Sequence, residues 1–239
     1  MVLEVTDLMK KYGKTFAVNG ISFTLAQGSI IGLIGPNGAG KTTTLKCMAG
    51  LLKPTEGTIR ILGESIGSSD ARSKLAYLPE TPDIYPMLTV WEHLRFIALA
   101  FNLENWEPQA EALLERFDLQ DKKHELGKNL SKGMTQKVVI CCGLLHHPQV
   151  LLVDEPLIGL DPKAIRELKD AFLHLKEEGK TILISTHLLD NAQNLCDGVI
   201  VMKQGTIIAK GSMDELRKTV NAGETASLEE LFLEVTTNA

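Results

Sequence analysis

The sequence predicts an α/β fold with a mainly parallel sheet, an antiparallel β subdomain at the start and a helical subdomain inserted into the core. Three observations carry this. The runs SIIGLIG from Ser29, VLLVDEP from Val150 and TILIST from Thr181 are almost wholly apolar, as strands buried on both faces must be. Helical patterns alternate with them, which is how parallel strands are joined. From Pro82 to Leu145 helical periodicity dominates without a strand signal, so this stretch reads as an inserted helical lobe at about 82–146.

Taken in order, strands are expected at Val2 to Val5, Ser22 to Ala26, Ser29 to Ile34, Thr58 to Leu62, Leu75 to Leu78, Val150 to Val153, Thr181 to Ser185, Val199 to Met202 and Thr206 to Ala209. Helices are expected at Lys41 to Ala49, Val90 to Phe101, Pro108 to Phe117, Ser131 to His146, Pro162 to Glu178 and Leu188 to Leu195. Ser212 with Glu215 and Ser227 with Glu230 each match a capping box, marking two final helices within about 212–235. Residues 1–239 read as one domain with sub-lobes.

Composition is that of an ordinary globular chain, 44% apolar and 23% charged. A net charge of -5 argues against a broad basic face for nucleic acid, and none is expected as a partner. No apolar stretch is long enough to span a bilayer and no secretory signal is recognised, so a cytoplasmic location is expected. Cys47, Cys141, Cys142 and Cys196 sit in apolar patterns and read as buried free thiols. Cys142, His146 and His147 lack the second ligand pair of a zinc site.

The chemistry starts at Gly35-Pro36-Asn37-Gly38-Ala39-Gly40-Lys41-Thr42, followed by Thr43, which fits G-x-x-x-x-G-K-[ST] between a strand and a helix. Glycines let consecutive N–H groups turn inward around a phosphate, and the helix behind adds its partial positive end. Lys41 then reaches the β and γ phosphates of a nucleotide, while the Thr42 hydroxyl is an oxygen ligand for Mg²⁺. Asp154 and Glu155 end a second core strand, and in a parallel sheet such ends gather on one edge. Asp154 is therefore expected to meet the same metal, and Glu155 to act as general base on a water near the γ-phosphate.

Five further segments carry a resemblance: KKYGKTFAVNG around Tyr12, Glu80 in AYLPETP, Leu130-Ser131-Lys132-Gly133-Met134, Gly159-Leu-Asp161-Pro162, and Ser185-Thr-His187. With the phosphate loop and the Asp-Glu strand, their order and spacing resemble the ATP-binding subunit of an ABC transporter over nearly the entire chain. This implies a P-loop ATPase fold that binds ATP with Mg²⁺ and hydrolyses it. It further implies that Tyr12 stacks on adenine, that Glu80 stands where the family usually has a metal-facing glutamine, and that His187 contacts the γ-phosphate. Ser131, Gly133 and Asp161 are implied to act across a dimer of two such subunits, likened to a homodimer. A separate membrane-spanning subunit is the implied partner, placing the chain on the cytoplasmic face of the membrane, with a groove near Thr81 to Glu92 receiving it. Two departures stand out: Lys132 and Met134 in a signature that is usually L-S-G-G-Q, and Glu80 for glutamine. YLPETPDIYPMLTVWEHL and the SLEELFLEVT ending are most similar to the Ecs-type, exporter-like branch. The alternatives are a soluble ABC protein acting on ribosomes or nucleic acid, disfavoured by the acidic charge and the lone phosphate loop, and a P-loop kinase or GTPase, disfavoured by the absence of N-K-x-D.

Overall fold

The structure, a computed structural model, describes residues 1–157, 160–219, 223 and 226–238. Strands β1 (Leu3–Tyr12) and β2 (Thr15–Leu25) pair antiparallel and bury Leu3, Val5, Leu8, Val18, Ile21, Phe23 and Leu25. Both are longer than the sequence suggests, and they meet at a hairpin beside Gly13. The register shifts between Val5 and Leu8, with Asp7 at φ 48°, so the two-residue apolar period breaks there although pairing continues.

The chain continues through β3 (Ile30–Ile34), α1 (Lys41–Met48), β4 (Glu56–Ile61) and the two-residue β5 (Glu64–Ser65) to α2 (Ser69–Ser73) and β6 (Leu75–Leu78). Next come α3 (Val90–Ala100), α4 (Glu107–Arg116) and α5 (Lys132–Leu145), the expected helical lobe. The remainder is β7 (Val150–Asp154), α6 (Pro162–Glu177), β8 (Thr181–Thr186), α7 (Leu189–Leu195), β9 (Gly198–Lys203), β10 (Thr206–Gly211), α8 (Met213–Thr219) and α9 (Leu228–Asn238). The sequence does not signal β5 or α2: each is too short and too exposed to leave a period.

The strands form a four-stranded sheet, order β2-β1-β4-β5, and a six-stranded sheet, order β10-β9-β3-β8-β7-β6. The first is antiparallel throughout; the second is parallel from β9 to β6, with only β10 reversed. Parallel pairing in register brings the ends of β3, β7 and β8 to one edge, Ile34 beside Thr186 and Asp154 beside Ser185. That edge is where an open α/β sheet presents its crevice.

Local chemistry sets the helix starts. Thr89 and Glu92 form a capping box at α3, Ser131 caps α5, and Asp161 caps α6 with Pro162 in the first turn. Both expected C-terminal boxes form: the Ser212 amide donates to Glu215 at 2.7 Å and the Ser227 amide to Glu230 at 2.8 Å, each with the reciprocal bond.

One apolar cluster joins the parallel sheet to the helical lobe and α6, a second fills the space between the two sheets, and a third seats the C-terminal helices. Phe172 of α6 is fully buried in the first. Phe172→Ala is expected to remove about 3–5 kcal/mol of stability, read as a lower urea midpoint.

Candidate functional site

Gly35 to Gly40 links β3 to α1 in a conformation that side chains would obstruct. A Cβ on Gly35 would lie 2.3 Å from the Met202 carbonyl oxygen, and one on Gly40, at φ 103°, would lie 2.3 Å from the Ala17 carbonyl oxygen. Both glycines are thus required by close backbone approach. The loop borders a cleft of about 480 Å³ lined by Ala17, the stretch from Asn37 to Thr43, Glu80, Glu155 and His187. The phosphate loop, Glu80, Glu155 and His187, far apart in sequence, therefore meet here, and Ala17 joins them without any signal in the sequence.

Lys41 is 7% exposed, and its ammonium donates to the carbonyls of Gly35 at 2.8 Å and Pro36 at 3.2 Å, with Glu155 Oε1 at 3.9 Å. Burial lowers its pKa, while the charges of Glu155, Asp154 and Glu80 oppose that shift. The cation is thus concentrated at the loop, surrounded by acids and hidden from bulk water.

Asp154, 1% exposed, ends β7 and accepts from the Thr42 hydroxyl at 3.2 Å and the Ser185 hydroxyl at 2.5 Å on Oδ1, and from the Tyr77 hydroxyl at 3.3 Å on Oδ2. Burial first, then the nearby Asp154 charge, pushes the Tyr77 phenol up, so it remains a proton donor. Glu155 is held at φ 47° by its amide, which donates to both the Ser185 hydroxyl and carbonyl at 3.1 Å. Its Oε1 is 2.9 Å from His187 Nδ1, and its Oε2 is buried without a hydrogen-bond partner among the described residues. A positive φ at a non-glycine residue is a strained placement that the surroundings must enforce. The glutamate is fixed at the cleft with one oxygen committed to a histidine and one uncommitted.

These donors suit Mg²⁺. The Thr42 hydroxyl, the Asp154 carboxylate and Glu80 offer hard oxygens near the phosphate loop. Among the described residues no cluster of three or more His, Cys, Asp or Glu is arranged to hold a metal ion. Few protein ligands are what an ion that keeps its waters and takes phosphate oxygens needs.

The remaining expected residues lie outside this cleft. Tyr12 is half exposed at the β1–β2 hairpin, with the Lys10 ammonium 5.2 Å from its ring centre. The Ser131 hydroxyl accepts from the Met134 amide at 3.3 Å, and Asp161 accepts from the Ala164 amide at 2.9 Å, both as helix caps. Gly133 lies in the first turn of α5, and Gly159 lies outside the described residues. His146 packs on the Phe101 ring and bonds to the Leu75 carbonyl at 3.1 Å. Cys47 and Cys141 are buried as expected, but Cys142 and Cys196 pack at the edge of a core cluster and are only half-buried, against the expectation; the burial they have raises the thiols of these two to about 12. Nothing in the sequence marks Ser185 and Tyr77 as partners of Asp154, because their bonds to it depend on strand register, which spacing does not reveal.

The ABC transporter family model matches residues 18–158. The ABC-type transporter ATP-binding protein EcsA of Bacillus subtilis (strain 168) is 38% identical over 239 residues, spanning 98% of this chain and 96% of its own. The Nod factor export ATP-binding protein I of Ralstonia nicotianae is 37% identical, spanning 90% of this chain and 68% of its own. A solved structure of an ATP-binding subunit of an ABC transporter superposes with a TM-score of 0.94 at 39% identity, covering 99% of this chain and 100% of that one. CbiO1 of Clostridium perfringens, part of the ABC transporter complex cbiONQ, has a TM-score of 0.76 at 30% identity, covering 92% and 94%. With the phosphate loop, the Asp154–Glu155 strand end and these relatives in agreement, the chain belongs to the ABC transporter family as one of its ATP-binding subunits, an ATPase.

Proposed function

We propose that residues 1–239 act as one ATPase domain that binds MgATP in the cleft at the phosphate loop and hydrolyses it to ADP and phosphate. The observation that carries this is the meeting of Thr42 with Asp154, at 3.2 Å, beside a buried Glu155 with one oxygen unpartnered among the described residues. Loop amides and Lys41 bind the phosphate chain; Thr42, Asp154 and Glu80 hold Mg²⁺, which neutralises charge on the phosphate oxygens when bound. Glu155 Oε2 takes the proton of the attacking water. His187 Nδ1–H holds the other oxygen in place and sits where it can meet the γ-phosphate.

Tyr12 stacks on the adenine from the hairpin. Ser131, Gly133 and Asp161 serve the nucleotide of a second identical copy. Their positions at helix starts, away from this chain's own cleft, support that division of labour. A separate membrane-spanning subunit uses the work, which places the chain on the cytoplasmic face of the membrane; no nucleic acid takes part. Among the described residues no helix is long and apolar enough to cross a membrane.

Affinity capture of the tagged chain from solubilised membranes, with phosphate release measured on the captured complex, tests the assignment. Recovery of an integral membrane protein together with Mg²⁺-dependent phosphate release is expected. Recovery of ribosomal proteins alone would sink the transport reading.

A further inference from the structure

We infer that Tyr77 is a positioning residue for the metal-holding carboxylate: its hydroxyl fixes the orientation of Asp154 and thereby sets the affinity of the site for the divalent ion. This rests on the reading of Thr42 and Asp154 as metal ligands. Asp154 is 1% exposed, so its charge depends on protein donors rather than bulk water. Two of those donors, Thr42 and Ser185, share Oδ1, at 3.2 and 2.5 Å. Among the described residues Oδ2 has one donor, the Tyr77 hydroxyl at 3.3 Å. Removing that donor frees one end of the carboxylate and leaves its other end crowded, so the plane of the group is no longer defined.

The placement of Tyr77 favours this role over simple packing. β6 is the edge strand of the parallel sheet and pairs with β7, Tyr77 standing opposite Leu152. Its ring packs against the cluster that contains Leu75 and Leu152, which immobilises the side chain and delivers the hydroxyl to Asp154. A phenylalanine would satisfy the packing equally well; only the hydrogen bond requires tyrosine. Tyr77 does not line the nucleotide cleft, and its one hydrogen bond toward the site is the one to Asp154. Partners that orient a metal ligand typically change metal affinity by about 10- to 100-fold when removed.

The test is a Mg²⁺ titration of wild type and Tyr77→Phe, beginning in EDTA, with binding of the fluorescent analogue trinitrophenyl-ATP as the readout and thermal unfolding alongside. The expected result is unchanged metal-free nucleotide affinity and a Mg²⁺ concentration for half-effect raised about tenfold. Tyr77→Met, which also lacks a donor, serves if the phenylalanine variant does not fold, and the same displacement is expected. A wild-type response to Mg²⁺ that the variant reproduces, whether or not its unfolding temperature falls, overturns the role of Tyr77 alone. Wild type that gains no nucleotide affinity from Mg²⁺ overturns the metal reading itself.

Discussion

Replacing Glu155 by glutamine is expected to leave ATP bound and to slow phosphate release by about a hundred- to ten-thousandfold, the usual contribution of a general base. Glutamine has nearly the same shape, and its amide oxygen can still accept from His187 Nδ1–H, now 2.9 Å from Oε1. The backbone at φ 47° is held by two bonds from the Glu155 amide to Ser185, which the substitution does not touch. What changes is the atom at Oε2, which turns from a proton acceptor into a donor. Affinity should survive because the carboxylate being neutralised lies 3.9 Å from Lys41, and its removal leaves that cation more available to phosphate. Trinitrophenyl-ATP binding and single-turnover phosphate release separate the two effects. Near-normal hydrolysis by Glu155→Gln would remove Glu155 from the chemistry. In the proposed dimer the variant should also accumulate as an ATP-bound pair on size exclusion.

The parts of the fold legible in the sequence were those with a strong period or a short chemical signature. β3, β7 and β8 announce themselves as apolar runs because parallel strands are buried on both faces, and α3, α5 and α6 start at capping residues that act within one turn. Only parts of β1 and β2 are legible, because the bulge near Asp7 shifts the register and one face is exposed. The cleft shows the same division. Gly35 to Thr43 and Asp154–Glu155 are contiguous and could be read directly, while Ser185 becomes a partner of Asp154 only because β7 and β8 pair in register. Ser131 and Asp161 read as helix caps or as ligands for a second copy, and in one chain they are seen only as caps. Residues whose function needs another chain share the spacing of local caps, and only the resemblance to the family marks them out.

Lys41→Ala is expected to weaken ATP binding by on the order of a hundredfold, since hydrogen bonds to charged groups contribute about 1.5–3 kcal/mol each and the lost cation would make more than one. The lysine also offsets its surroundings. Glu155, Asp154 and Glu80 all act on it electrostatically, and without it a polyphosphate would approach three carboxylates with only amides and the metal to compensate. Its burial strengthens this effect, because a desolvated ammonium interacts with phosphate through a lower effective dielectric than an exposed one. A second consequence is structural: the carbonyls of Gly35 and Pro36 lose the donor that now holds them at 2.8 and 3.2 Å. Lys41→Met keeps the stem that packs beside the loop while deleting the ammonium, and with it both the charge and the donor to the carbonyls, so it separates the ammonium's contribution from that of side-chain packing. If charge is the cause, Met and Ala variants should lose affinity alike, and thermal unfolding in the absence of nucleotide should distinguish them only slightly. Lys41→Arg should not restore binding, because a planar fork with five donors does not fit a channel shaped for a compact ammonium that is 7% exposed. Affinity in the alanine variant that matches wild type would show that the loop amides suffice and that Lys41 has no part in holding the triphosphate.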